Sequence, residues 1–373
     1  MNKHVKLVFL MAFEITYEID TNSSKDLIDA IRVEQTIEFP YRLAKSWIQE
    51  EVVGQIVSVD QKQNKSIAKI SYADDVVGNE LPQFLNLLWG NVSLFNGVKI
   101  TNIEFPKSFL DSLKGPRFGI KGIRKLLKID SRPILMTALK PMGTNSNDLA
   151  QMATTLVQGG IDVIKDDHNL ANQPWAKWQE RVEIISKAID KANETFNRNA
   201  IYAPSLNRPT DQLIPAALFA KQIGCKALLI LPGIAGFDQM RFIADHEEIA
   251  LPILSHPALL GSFVMNPNHG LTHALVFATL VRISGGDFTI FPNHGGRFSF
   301  SLEECKSIID ASLRNLGQLA PISAALAGGM TVERTNEMVN NFGKDITILI
   351  GGALHDGDLL ENTLRLRQAV ESV

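Results

Sequence analysis

Residues 159–173 read GGIDVIKDDHNLANQ. Ile161, Val163 and Ile164 have the apolar, β-branched character of a strand buried on both faces of a parallel sheet. The run nevertheless ends in four polar groups, Lys165, Asp166, Asp167 and His168. Side chains alternate along a strand, so Val163, Lys165 and Asp167 share one face while Ile164 and Asp166 share the other. An amine and a carboxylate therefore emerge on one face where the chain leaves the sheet. A buried lysine is costly unless it is paired or neutralised. Three roles meet that requirement: a structural Lys/Asp pair, a lysine nucleophile that forms a Schiff base, or an anionic lysine derivative such as a carbamate that joins Asp167 in holding a divalent metal.

Working outward, short β-like apolar runs recur at 133–139, 162–167, 200–206, 226–232, 251–257, 287–293, 322–329 and 346–352. Helical patterns separate them, from Asn147–Val157 through Leu271–Ser284 to Asp358–Glu371. Eight strands each followed by a helix predict an α/β fold, a C-terminal (β/α)8 TIM barrel, and no Gly-rich fingerprint after the first strand speaks for an open doubly wound sheet. Upstream, Phe13–Ile19, Gln55–Val59 and Ser66–Tyr72 read as strands, Ser23 with Asp26 opens a helix, and Leu81–Trp89 reads as another. That mixture predicts a smaller N-terminal α+β (ferredoxin-like) domain over 1–112, with the barrel over 113–373 after a junction at Gly115, Pro116 and Gly119.

Barrel enzymes carry their sites at the C-terminal strand ends. Those ends offer Lys140; Lys165, Asp167 and His168; Ser205 and Asn207; Ser255 and His256; Asn293, His294 and Arg297; then the pairs Gly328–Gly329 and Gly351–Gly352. Glycine pairs after strands 7 and 8 let backbone N–H groups approach an anion, which predicts a phosphorylated substrate; the plain alternative is two tight turns. His256 is a candidate general acid/base or substrate ligand. His4, His246, His269, His273 and His355 are read as satisfied or solvated, and His294 fits a loop residue that points outward.

Charged residues make up 21% of the 373 and apolar ones 45%, with a net charge of −3, so nothing argues for nucleic acid or an anionic membrane. Two cysteines, Cys225 and Cys305, suit a reducing compartment. Lys3, His4 and Lys6 precede an apolar run, Leu7 to Phe13, that is too short for a secretory leader, and Met11 offers an alternative start; the expectation is a cytoplasmic protein.

Together these residues resemble the large subunit of RuBisCO, and more closely the form IV RuBisCO-like proteins, over nearly the whole chain. GGIDVIKDDHN is similar to the family's carbamylated-lysine motif, ALKPMG to its Thr-x-Lys-Pro-Lys segment, LWGNV to its Gly-Asn-Val segment and VEQT to its Glu-containing loop. FPNHGGRFSF occupies the mobile loop after strand 6, and ALAGG and ILIGG resemble the phosphate-binding strands. The resemblance implies that Lys165 takes up CO2 and, as a carbamate beside Asp167, ligates Mg2+. Lys140 would transfer a proton near the enolate and His256 would bind substrate. Asn293, Gly296, Arg297, Gly328, Gly329, Gly351 and Gly352 would hold the phosphorylated substrate, and Glu34 and Asn91 would come from the other subunit of a homodimer.

The departures from the family pattern set the expected function. Met142 replaces a lysine, Pro257 a phosphate-binding arginine and Ile290 or its neighbour a histidine, while Arg297 substitutes for the loop lysine. His168 stands for a metal-ligating glutamate, which weakens a hard-cation site, shifts it toward Mn2+ or leaves the carbamate unformed; a metal site is the expectation. CO2 fixation is thereby excluded and metal-assisted enolate chemistry retained. Among form IV activities the resemblance first implies 3-oxo-isoapionate 4-phosphate decarboxylation or transcarboxylation with hydrolysis. The alternatives are an isomerase or enolase acting on a (methylthio)ketose phosphate, and a non-catalytic binding protein.

Overall fold

The computed structural model of the chain describes residues 12–20 and 24–373, so Lys3, His4, Lys6, Met11 and Ser23 lie outside the described residues. The strands β1 (Ala12–Asp20), β2 (Gln55–Lys62), β3 (Lys65–Ala73) and β4 (Val98–Glu104) come first. Next are β5 (Ile134–Leu139), β6 (Val163–Asp166), β7 (Ile201–Ala203), β8 (Leu228–Ile230) and β9 (Ile253–Ser255). The series ends with β10 (Gly270–Leu271), β11 (Phe288–Pro292), β12 (Ser323–Ala327) and β13 (Ile346–Leu349). The residues divide into two compact units.

The first unit gathers the described residues up to Leu113 with Leu260–Val276 and Leu316–Gln318. Its sheet has the order β10-β4-β1-β3-β2, antiparallel except for the β10–β4 pair. Helices Ser24–Glu34 and Leu81–Trp89 connect β1 to β2 and β3 to β4, which gives the ferredoxin-like βαββαβ order. In β1, Phe13, Ile15, Tyr17 and Ile19 are fully buried, the period-2 signature of a sheet covered on one face. Phe13 packs against Phe84 and Phe109 with ring centroids 5.3 and 5.0 Å away, which anchors the second helix. Strand β4 escapes a periodicity reading because the register slips between Thr16 and Tyr17, and Thr101 is the extra residue that breaks the alternation of Val98, Ile100 and Ile103.

The second unit contains the other eight strands, all parallel, in the order β7-β6-β5-β13-β12-β11-β9-β8. A parallel bridge between Ser205 and Leu229 closes the ring: Leu229 N–H donates to Pro204 O at 2.9 Å and Leu206 N–H to Leu229 O at 2.8 Å. The TIM barrel is therefore present, filled by Ile134, Met136, Val163, Ile201, Leu229, Leu254, Phe288 and Leu349. The helices behave as their sequences direct. Ser146–Gly159 starts at Asn145, whose side chain accepts the Asp148 N–H, and stops at Gly160, whose φ of 95° suits glycine. Leu302–Leu313 opens with a capping box between Ser301 and Glu304.

One segment differs from its sequence reading. Leu271–Ser284, read as a single helix, contains a π-turn at Leu275–Thr279 and a short α-turn at Leu280–Ile283. The Thr289 hydroxyl takes the Phe277 carbonyl, a side-chain intrusion of the kind that loosens an α-ladder. Immediately before β11 the buried Asp287 carboxylate accepts the N–H groups of Phe118, Gly119 and Ile253 at 2.7–3.0 Å. Burial still raises its pKa to about 6.

Candidate active site

Strand β6 carries different chemistry on its two faces. On one, Asp166 is fully buried and saturated: Tyr202 O–H donates to Oδ1 at 2.7 Å, and the Ser205 N–H and Arg181 Nη2 donate to Oδ2 at 3.0 and 3.1 Å. Arg181, also fully buried, further donates to Ala171 O and Ala176 O at 2.9 and 2.7 Å. The pair thus clamps the loop that leaves β6. Sequence reasoning missed this role; the available signal was an arginine at a buried position of the helix Trp178–Phe196.

The other face aims Lys165 and Asp167 toward the barrel mouth, each 3% exposed. Lys165 Nζ donates to Asp166 O at 3.0 Å. Burial, reinforced by the Lys140 charge and opposed by Asp167, lowers its pKa to about 8. Asp167 forms an ion pair with Lys140 through Oδ2, and its Oδ1 accepts the Asn169 N–H at 3.0 Å. Burial disfavours its charge, but the Lys140 hydrogen bond, the Asn169 N–H and two ammonium charges prevail, and its pKa falls below the ordinary carboxylate value.

His168 and His256 stack, with centroids 4.4 Å apart and planes 15° from parallel. Burial lowers both imidazole pKa values, that of His256 strongly, and neighbouring cations add to the effect: Lys165 and Lys140 on both rings, Arg297 on His168. His256 Nδ1 accepts the Ala258 N–H at 3.2 Å, so the neutral ring carries its proton on Nε2. Lys140, Lys165, Asp167, His168 and His256 therefore come together, with Arg297 close enough to act electrostatically.

Other strand ends behave differently. Ser205 serves the scaffold: its carbonyl accepts Trp178 Nε1–H at 2.7 Å. Asn293 is buried, with its amide nitrogen against the sulfurs of Met330 and Met338 and its Oδ1 against His294. His294 turns to Glu337, which also binds Arg334. A Cβ on Gly296 would lie 2.1 Å from Gly328 O, and one on Gly329 would lie 2.6 Å from Gly296 Cα, so these glycines let two loops meet. Gly351 lies beside the Lys140 stem, whereas Gly352 has nothing within 4 Å of a Cβ position and leaves its backbone open. In the first unit, Asn91 Nδ2 donates to Glu34 Oε1 at 2.9 Å, and Gln35, which the sequence reading passed over, fixes that pairing by accepting the Val92 N–H at 2.8 Å.

Among the described residues no three His, Cys, Asp or Glu side chains form a metal cluster. The expected set of Lys165, Asp167 and His168 holds one carboxylate, one imidazole and one amine. It fits a hard divalent cation once Lys165 carries a carboxylate, and the lowered pKa raises the share of neutral amine, the form that reacts with CO2, above that of an ordinary lysine. No helix among the described residues is long and apolar enough to cross a membrane.

Residues 119–297 match the family described as the ribulose bisphosphate carboxylase large chain, catalytic domain. The chain is 33% identical over 311 residues to the 2,3-diketo-5-methylthiopentyl-1-phosphate enolase of Bacillus velezensis, covering 81% of this chain and 76% of that one. It is 32% identical over 328 residues to the 5-methylthioribulose-1-phosphate isomerase of Rhodospirillum rubrum, covering 87% and 86%. The crystal structure of the Rubisco-like protein from Rhodopseudomonas palustris superposes with a TM-score of 0.88 at 31% identity, over 97% of this chain and 98% of that one. The barrel, its lysine-centred site and these likenesses agree: the chain belongs to the RuBisCO large-chain superfamily, among the RuBisCO-like proteins.

Proposed function

We propose that this protein is an enzyme that moves a proton on a phosphorylated methylthio-sugar or its diketo derivative, as an enolase or isomerase. This reading displaces the 3-oxo-isoapionate 4-phosphate lyase or hydrolase expected first from the sequence, because the relatives named above are an enolase and an isomerase. The observation that carries it is the convergence of two lysines of unlike environment on one carboxylate, beside a neutral histidine.

Lys140 moves the proton at the substrate carbon next to the carbonyl. His256 Nε2–H donates to the oxygen on which negative charge develops, and its low pKa keeps it neutral in that task. Asp167 holds Lys140 in place at rest and keeps its charge through the pKa depression described above. Carbamylated Lys165, Asp167 and His168 would hold Mg2+, or Mn2+ where the imidazole ligates. Such a cation supplies Lewis-acid stabilisation of the enediolate oxygen when bound. The open backbone at Gly351–Gly352 is the favoured phosphate cradle, with Gly328, Gly329, Gly296 and Arg297 lining the neighbouring loop contact. Glu34 and Asn91 are proposed to serve the site of the other subunit in a homodimer.

The test is 1H NMR in D2O with 5-methylthioribulose 1-phosphate and with 2,3-diketo-5-methylthiopentyl 1-phosphate, in the presence of bicarbonate and Mg2+. Enzyme-dependent exchange or conversion of either compound supports the reading. Inertness toward both, together with CO2 release from 3-oxo-isoapionate 4-phosphate, overturns it.

A further inference from the structure

His355 lies in a short turn, Gly352–His355, that follows β13. The turn is held firmly: Leu354 is fully buried, its N–H donates to Gly351 O at 3.1 Å, and Asn362 Nδ2 donates to Leu354 O and Asp356 O at 3.1 and 2.8 Å. In this fixed frame His355 Nε2 is shielded from solvent and has no hydrogen-bond partner among the described residues. A buried ring nitrogen left unpaired is unfavourable, because it has lost its hydrogen bond to water without gaining another. The cost persists in the resting arrangement, and a partner that arrives during turnover would remove it.

The charged side chain that acts on His355 is Lys140. Its stem passes beside Gly351, the residue before the turn: a Cβ there would lie 3.4 Å from Lys140 Cε and 3.9 Å from Cδ, in ordinary contact. The two groups also interact electrostatically, since burial lowers the His355 pKa and the Lys140 charge lowers it further. At rest the Lys140 ammonium is committed to Asp167. A group that carries a proton to or from substrate carbon must leave that carboxylate, and an ammonium without an acceptor in a half-buried site is unfavourable.

We infer that His355 is a positioning residue for Lys140: its unpaired Nε2 is the second docking point that accepts Lys140 Nζ–H when the lysine releases Asp167. The inference rests on the proton-transfer reading above for its role in turnover. It does not rest on it for the placement of the lysine. The two docking points give Lys140 two defined positions, one on the carboxylate of β6 and one on the turn after β13. A neutral imidazole suits the second, because it accepts from the ammonium in the tautomer protonated on Nδ1.

Two measurements test this. In a crystal structure of Asp167→Asn, which removes the resting ion pair, Lys140 Nζ is expected within about 3 Å of His355 Nε2. A lysine directed elsewhere, with Nε2 still unpaired, overturns the inference whatever the substrate proves to be. With 5-methylthioribulose 1-phosphate as the probe, His355→Leu is expected to lower kcat about tenfold with KM unchanged. His355→Gln, whose side-chain oxygen replaces the Nε2 acceptor, is expected to restore kcat to within threefold of wild type. A His355→Leu kcat within twofold of wild type, or failure of rescue in a folded His355→Gln protein, overturns it. If the wild-type protein turns over only 2,3-diketo-5-methylthiopentyl 1-phosphate, the same variants are read with that compound; if it leaves both untouched, the proton-transfer reading has failed, and the Asp167→Asn structure alone decides the docking point.

Discussion

Replacing Arg181 with methionine keeps much of the aliphatic bulk and deletes the guanidinium behind β6. The structure fixes the consequence. Arg181 and Asp166 are both fully buried, so the variant strands a carboxylate that keeps only Tyr202 O–H and the Ser205 N–H. It also leaves the carbonyls of Ala171 and Ala176 without their donor. Breaking a buried pair from one side costs about 3–5 kcal/mol, against about 0–1 kcal/mol for an exposed pair. Guanidinium unfolding followed by far-UV circular dichroism reads the difference. The double variant Asp166→Asn with Arg181→Met removes the stranded charge, so its loss is expected to fall short of the sum of the single losses by about 2 kcal/mol. An Arg181→Met loss below about 1 kcal/mol, or strict additivity, would refute the clamp.

Three other substitutions have definite expected outcomes. Lys165 has its pKa lowered from 10.5 to about 8, so between those values the unfolded chain binds more protons and stability rises with pH, by roughly 3 kcal/mol in all. Subtracting the pH–stability curve of Lys165→Met from that of wild type isolates this rise, and a flat difference contradicts the buried amine. Gly296→Ala places a methyl 2.1 Å from Gly328 O, where 3.4 Å is the near limit of ordinary contact, so the loops must part at a cost of about 1–3 kcal/mol; an unchanged melting temperature would show that the loops do not meet. Gly352→Ala meets nothing within 4 Å and is expected to fold normally while KM for a phosphorylated substrate rises about tenfold, and an unchanged KM moves the phosphate elsewhere.

The barrel was legible because each strand is buried on both faces and reads as an uninterrupted apolar run, a signal strong enough to survive strands of three residues such as β7 and β8. Strand β4 was not, because a bulge at Thr101 breaks the alternation on which a half-buried strand depends. Within the site, alternation placed Lys165 and Asp167 correctly, since both lie within or next to a regular strand. It said nothing of His168, whose stacking on His256 depends on the loop path that Arg181 imposes. Asn293 illustrates the converse: its place at a strand end offered a substrate contact, and what lies against its amide, Met330 and Met338 from the segment after β12, could not be read from spacing. His355 was discounted as one of several loop histidines, because an unpaired nitrogen is a property of packing that residue type does not reveal.

The division between the faces of β6 makes stability and activity separable. Asp166 is a satisfied structural carboxylate paired with Arg181, while one residue to either side Lys165 and Asp167 remain under-neutralised, with a depressed amine pKa and a carboxylate shared between Lys140 and its own loop. A strand that needed only to bury its polar end would use the first arrangement on both faces. The second therefore marks the chemistry, and the two kinds of variant must part company. Lys165→Met relieves a buried amine, so it is expected to keep or gain stability near pH 7 while abolishing turnover. Arg181→Met loses stability and, with the loop after β6 released, turnover as well. An active Lys165→Met protein would return β6 to a purely structural role, and with it the site built on this strand.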